Sequence, residues 1–246
     1  MKLILATLIT MSSFIVSAQT NIEKNIPLKQ GQKLIINADD PSIKIQTWDK
    51  NEVSIKGTAS INQGENDSAF VLEVSTTGNE VTVTSALKDR ENIPHRIIIK
   101  KDDREYFFKT SNMNDPEIQK FLEQNGREYS YMSTGIIKEI KLEIFVPKNT
   151  ETVIYAKYGL IEVKNFSAPL TIDSKYGGVD ASVVPAATGQ LTARSRHGEI
   201  LTNLDIKFDE SVRDKSNKWT EISARPGSGP KYSFESKYGN IYLRKP

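Results

Sequence analysis

The chain has 246 residues, with 33 Lys and Arg against 31 Asp and Glu and no cysteine. Near-balanced charge with both signs interspersed excludes the basic footprint of a nucleic-acid-binding protein. The missing cysteines exclude disulfide staples and a lipobox anchor, while the length allows a buried core without either.

Residues 1–18 read as a secretory leader. Lys2 supplies the positive charge, Leu3 to Ile9 and Phe14-Ile15-Val16 the apolar stretch, and Val16-Ser17-Ala18 the small-residue cleavage site. Thr7, Thr10, Ser12 and Ser13 interrupt the run, which argues against an uncleaved anchor of about 20 apolar residues. Cleavage would place Gln19 at the mature N-terminus. No later stretch approaches a span, since Ile97-Ile98-Ile99 is followed at once by Lys100, Lys101, Asp102 and Asp103. The expectation is an exported protein without a transmembrane segment after cleavage, in the periplasm, at the outer-membrane surface or outside the cell.

Residues 19–87 form an N-terminal β-strand region. Short runs such as Leu34-Ile35-Ile36, Ile43-Lys44-Ile45, Val53-Ser54-Ile55 and Val81-Thr82-Val83 alternate apolar and polar positions between turn clusters. Residues 88–135 are a charged insertion, read as a surface excursion with one short helix. Asp115 caps it, Pro116 fits its first turn, Ile118, Phe121 and Leu122 form its apolar face, and Gly126 stops it.

From 136 to 246 the strand pattern resumes, and four segments match: Ala156-Lys157-Tyr158-Gly159-Leu160-Ile161, Ser174-Lys175-Tyr176-Gly177-Gly178-Val179, Ser195-Arg196-His197-Gly198-Glu199-Ile200 and Ser236-Lys237-Tyr238-Gly239-Asn240-Ile241. Their glycines are 18, 21 and 41 residues apart, so the last gap predicts a degenerate unit near Ile222-Ser223-Ala224-Arg225. A unit of about twenty residues with a strand, a corner and a strand buries its apolar face only by stacking on its neighbours. The predicted fold is all-β, a β-solenoid of the parallel β-helix kind. In it the glycines turn the corners, and Lys157, Lys175, Arg196 and Lys237 align beside Tyr158, Tyr176, His197 and Tyr238.

The leader, the alternating N-terminal strands and the S-x-x-G-x-I/V repeats resemble the DUF4097 family of bacterial exported proteins. The plan is also similar to the "putative adhesin" head domains of Bacteroidota. The resemblance covers residues 30 to 85 and 137 to 244. It implies a β-solenoid at or outside the inner membrane and brings no catalytic residues with it.

Catalytic and cofactor signatures are absent. His95 and His197 are the only histidines and lack partner clusters, no G-x-S-x-G elbow occurs, and Ser85-Ala86-Leu87-Lys88 lacks its companion motifs. Asp39-Asp40 and Asp102-Asp103 lack the alternating oxygen ligands of a calcium loop, and no phosphate loop or dinucleotide fingerprint appears. No cofactor or metal is expected.

The basic-aromatic ladder is the candidate binding surface, for an envelope protein or a glycan. Tyr faces stack on sugars and Lys or Arg attract carboxylates and sulfates. The same row can equally stack on itself and stiffen the edge without a ligand. The reading is a non-catalytic, adhesin-like envelope or cell-surface protein. A polysaccharide lyase or hydrolase on a β-helix is the first alternative, disfavoured by the lack of a carboxylate cluster beside the basic row. A periplasmic accessory to envelope-stress signalling is the second. The sequence assigns no oligomeric state.

Overall fold

The structure is a computed structural model describing residues 20–209, 212–214 and 218–246. The leader read over residues 1–18 lies outside the described residues. The chain is mostly β with one α-helix among the described residues. In chain order the strands are β1 Thr20–Pro27, β2 Lys33–Ala38, β3 Ser42–Trp48, β4 Glu52–Ile61, β5 Phe70–Thr77, β6 Glu80–Leu87, β7 Arg96–Lys101, β8 Arg104–Phe108, then helix α1 Pro116–Asn125, and β9 Tyr131–Gly135 and β10 Lys138–Pro147. They continue as β11 Thr152–Ala156, β12 Ile161–Val163, β13 Leu170–Ser174, β14 Val179–Ser182, β15 Gln190–Ser195, β16 Ile200–Thr202, β17 Val212–Asp214, β18 Trp219–Ala224, β19 Lys231–Ser236 and β20 Ile241–Arg244.

Two large sheets face each other across one apolar core. Their orders are β1-β4-β10-β3-β12-β14-β20-β16 and β17-β18-β15-β19-β13-β11-β2-β6-β5. The pairs β2–β3, β11–β12, β13–β14, β19–β20 and β15–β16 each give one strand to each sheet, and their neighbours pair parallel and in register. Strand alternation sends one set of side chains inward. Leu34, Ile154, Ile172, Phe234 and Leu191 in one sheet and Ile45, Ile161, Val179, Ile241 and Leu243 in the other are fully buried or nearly so.

The spatial order of these units is not their order in the sequence. The unit β19–β20, last in the chain, lies between β13–β14 and β15–β16. The degenerate unit predicted near Ile222 to Arg225 does not exist. Those residues belong largely to β18, which runs antiparallel along the outer edge of β15 and carries β17 as a hairpin partner. The gap of 41 residues thus holds a hairpin covering an edge strand. At the opposite end the hairpin β5–β6 covers β2, while β10, β4 and β1 extend the other sheet.

The insertion is more than a surface excursion with a helix. β7 pairs with β8 and β9 in a three-stranded antiparallel sheet, and α1 packs on it. Ile97, Ile99, Phe108, Ile118 and Leu122 make a second core, with Phe121 against Tyr106 and Phe108. The helix begins as its sequence predicts, with Asp115 Oδ1 accepting from the Glu117 N–H at 2.9 Å. Asn62 holds both roots of this unit. Its Nδ2 donates to the Pro94 carbonyl at 2.9 Å, and its Oδ1 accepts from the Ile137 N–H at 3.1 Å.

Candidate functional site

The backbone ladder between units does not stop at the strand ends. It continues into the corner, where the N–H groups of Lys157, Lys175, Lys237 and Arg196 donate to the carbonyls of Ala38, Ala156, Ser174 and Ser236. One residue on, Tyr158, Tyr176, Tyr238 and His197 donate to Asp39, Lys157, Lys175 and Lys237. Both rows are therefore in register, one step about 4.8 Å from the next.

The glycines explain how the corners come so close. A Cβ on Gly159 would lie 1.8 Å from the Pro41 carbonyl oxygen, one on Gly177 2.0 Å from that of Gly159, one on Gly239 1.7 Å from that of Gly177, and one on Gly198 2.2 Å from that of Gly239. None of these four glycines has positive φ. Space, and not an unusual backbone conformation, is what excludes a side chain here.

The predicted aromatic ladder exists, in a different order from the chain. Tyr158 stacks on Tyr176 and Tyr176 on Tyr238, each with centroids 5.2 Å apart and planes 11° off parallel. His197 closes the row on Tyr238 at 4.9 Å and 8°. Lys157, Lys175 and Lys237 place Nζ 5.2, 5.0 and 5.5 Å from the centroid of the Tyr that follows each. At the Tyr158 end, Lys138 Nζ is 5.7 Å from the ring and is itself paired with the buried Asp40 carboxylate. The rings of Tyr176 and Tyr238 are thus covered on both faces. Stacking of sugars on these tyrosine faces is not open to a ligand; the edges and hydroxyls of the half-exposed rings are.

Beside the basic row runs an open groove of about 660 Å³. Its floor was not legible as a site in the sequence, yet it follows from strand geometry. The residue two before each basic side chain points to the same face. This places Tyr155, Asp173, Glu235 and Arg194 in a second row parallel to the first, and the register extends it to Asn37, two residues before Asp39. Trp219 closes one end, with the Arg194 guanidinium carbon 4.3 Å over its ring. Arg194 also pairs with Glu235 at 3.5 Å and Glu221 at 4.0 Å. Burial holds the Glu235 carboxyl above its usual range. Arg194 opposes that shift, while the charges of Asp173 and Glu221 add to it.

Among the described residues no ion pair engages Lys157, Lys175, Lys237 or Arg196, and Arg196 Nε is buried without a hydrogen-bond partner. The groove therefore offers a row of donors without carboxylate partners beside a row holding two neighbouring carboxylates. Against the expectation that no carboxylate cluster accompanies the basic row, the register sets one adjacent pair, Asp173 and Glu235, beside it. His95 lies exposed in the loop before β7, and no group of three or more potential metal ligands occurs among the described residues. No helix of the described chain is long and apolar enough to cross a membrane.

No family model matches the chain, so the resemblance to DUF4097 rests on the quoted residues, and no curated protein matches it. Two solved structures are similar to it. One, titled a "putative cell adhesion protein" from Clostridium sporogenes, shares 10% identity at a TM-score of 0.42, covering 93% of this chain and 100% of that one. The other, titled a "putative adhesin" from Bacteroides fragilis, shares 9% identity at a TM-score of 0.22, covering 92% of this chain and 98% of that one.

Proposed function

We propose that the chain is an exported, non-catalytic, adhesin-like surface protein whose stacked units form a short β-solenoid and whose groove holds an extended glycan. The in-register parallel pairing of five strand–corner–strand units supports the solenoid reading. The observation that carries the binding reading is the double row along the groove. Across the four units led by β11, β13, β19 and β15, each step of about 4.8 Å repeats a basic donor, set two residues after Tyr155, Asp173, Glu235 and Arg194 in turn. That step is close to the length of one pyranose in an extended chain, so a polymer of hydroxyls and carboxylates would meet equivalent partners unit after unit. The edges of Tyr158, Tyr176 and Tyr238 add a line of hydroxyls. The fixed β scaffold spares the ligand the cost of ordering its site.

The test is a glycan array with the full chain, repeated on a variant carrying Lys157→Ala, Lys175→Ala and Lys237→Ala. Binding of at least one acidic polysaccharide, weakened tenfold or more in the triple variant, is expected. Binding that ignores the three changes, or none to any glycan, would overturn the reading.

A second reading, glycan cleavage, is favoured by one observation. Asp173 and Glu235 are neighbours in register inside the groove, and the Glu235 carboxyl is held above its usual range by burial. New reducing ends or unsaturated sugars produced by the wild type and abolished in Asp173→Asn and Glu235→Gln would decide for it.

A further inference from the structure

The out-of-order unit β19–β20 sits in a slot built from residues like its own. On one side are Ser174, Gly177 and Val179, on the other Ser195, Gly198 and Ile200, and it brings Ser236, Gly239 and Ile241. Both walls pair with it in parallel and in register, so the backbone ladder it meets on each side is the one the repeats share. The unit reaches the slot by crossing the end of β15. Residues 225–230, Arg225-Pro226-Gly227-Ser228-Gly229-Pro230, carry the chain from β18 on the outer side of β15 to β19 on its inner side.

The crossing is tight. A Cβ on Gly189 would be 2.3 Å from the Gly229 carbonyl oxygen, one on Gly227 2.3 Å from that of Ala186, and one on Gly229 2.2 Å from that of Ala187. The slot itself needs its occupant, because Tyr232 and Phe234 of β19 and Ile241 and Leu243 of β20 are buried in it.

We propose that this slot is an acceptor for β19–β20 of a second copy of the chain, so that two molecules exchange their C-terminal units across the 225–230 hinge. Two observations carry it. The slot walls present a backbone register shared by the repeats, and the unit enters through a short crowded crossing that an extended hinge would relieve. Such a hinge is the setting in which strand exchange competes with closure on the same chain. The product is an isologous dimer, each β19–β20 lying between the partner's β13–β14 and β15–β16. The proposal is independent of what the groove binds.

The chain lacks cysteine, so paired variants report the exchange cleanly. Asp173 and Glu235 are register partners on the outer face of β13 and β19, at a separation a disulfide spans. Full-length Asp173→Cys and Glu235→Cys single variants are unfolded together in denaturant, refolded at rising protein concentration, and oxidised. A disulfide-linked heterodimer that grows with concentration is expected, and none when the two folded variants are mixed without unfolding. Deleting Ser228 and Gly229 from an otherwise unchanged chain should raise the dimer fraction seen by light scattering several-fold. The proposal is overturned if the mixed variants never cross-link while the Asp173→Cys/Glu235→Cys double variant forms only an internal disulfide. A hinge-shortened chain that stays monomeric at every concentration overturns it equally.

Discussion

Phe234 lies directly beside Ala193, the two being register partners on β19 and β15, with Ile172 of β13 on the other flank of Phe234. All three are buried, at 1% exposure or less. The large ring of one unit fills the space that the small side chain of the next leaves open. Were β15 to stack directly on β13, Ala193 would meet Ile172 and the core would lose a layer of aromatic volume.

Phe234→Ala should therefore remove more than a contact. The expected loss is about 3–5 kcal/mol, since the cavity falls in the one unit that both walls depend on. Urea unfolding of the variant checks it. A loss below 1 kcal/mol would mean that the walls close on each other without the C-terminal unit.

Tyr232, two residues earlier on the same inward face, is buried and its hydroxyl donates to the Phe166 carbonyl in the turn before β13. Burial pushes the phenol up to about 12 from its ordinary value near 10. A phenol that is harder to ionise in the folded chain than in the unfolded one leaves stability intact below pH 10. Above that the unfolded state alone gives up its proton, so stability falls until the folded phenol also ionises near pH 12. Tyr232→Phe should cost about 1 kcal/mol at pH 8, the net worth of one hydrogen bond. It should also flatten the alkaline decline between pH 10 and 12, read as the denaturation midpoint against pH in both proteins. An equal decline in the variant would place its cause elsewhere.

How much of this was legible in the sequence depends on whether a signal is carried by one residue or by a pair of neighbours. Gly159, Gly177, Gly198 and Gly239 each mark a corner, and the basic and aromatic residues before them do form rows. The order of the units was not legible, because β15–β16 and β19–β20 carry the same motif. What separates them, Phe234 filling the space beside Ala193, is a matter of volume across strands. The groove was missed for a related reason. Asp173, Glu235 and Arg194 have no motif of their own and become a row only through the register. In the insertion the cap at Asp115 announced the helix, while none of β7, β8 and β9 alternates apolar and polar residues along its sequence.

Asn62 ties the insertion to the main stack. It is 2% exposed, has φ of 50°, and its amide serves Asn66 Oδ1 and Pro94 O as donor and the Ile137 N–H as acceptor. Asn62→Ala leaves those backbone groups unpaired at both roots, at an expected cost of about 2–3 kcal/mol. Asn62→Gly, which relieves the backbone but not the bonds, should fall between wild type and Ala. Limited proteolysis with mass mapping should show new cleavage near residues 94–96 and 135–137 in the order Ala, Gly, wild type. Cleavage that is the same in all three would detach Asn62 from this role.

The glycine ladder makes the most demanding prediction because the same substitution has opposite meanings at different glycines. At Gly177 an added methyl would meet the Gly159 carbonyl carbon at 2.7 Å as well as its oxygen at 2.0 Å, and both belong to backbone that the neighbouring unit fixes. No rotamer relieves such a contact, so the two units must part, breaking the hydrogen bonds from the Lys175 and Tyr176 N–H groups that hold the basic and aromatic rows in register. Gly177→Ala is expected to cost at least about 3 kcal/mol, at the upper end for overpacking. It should also spread the Tyr158–Tyr176 stack, visible as a change in the near-ultraviolet circular dichroism of the folded protein. Gly135→Ala faces open space at ordinary φ and should stay within about 0.5 kcal/mol of wild type with an unchanged spectrum. If Gly177→Ala is as mild as Gly135→Ala, the corners are not packed backbone on backbone, and the register that builds both rows of the groove has no structural cause.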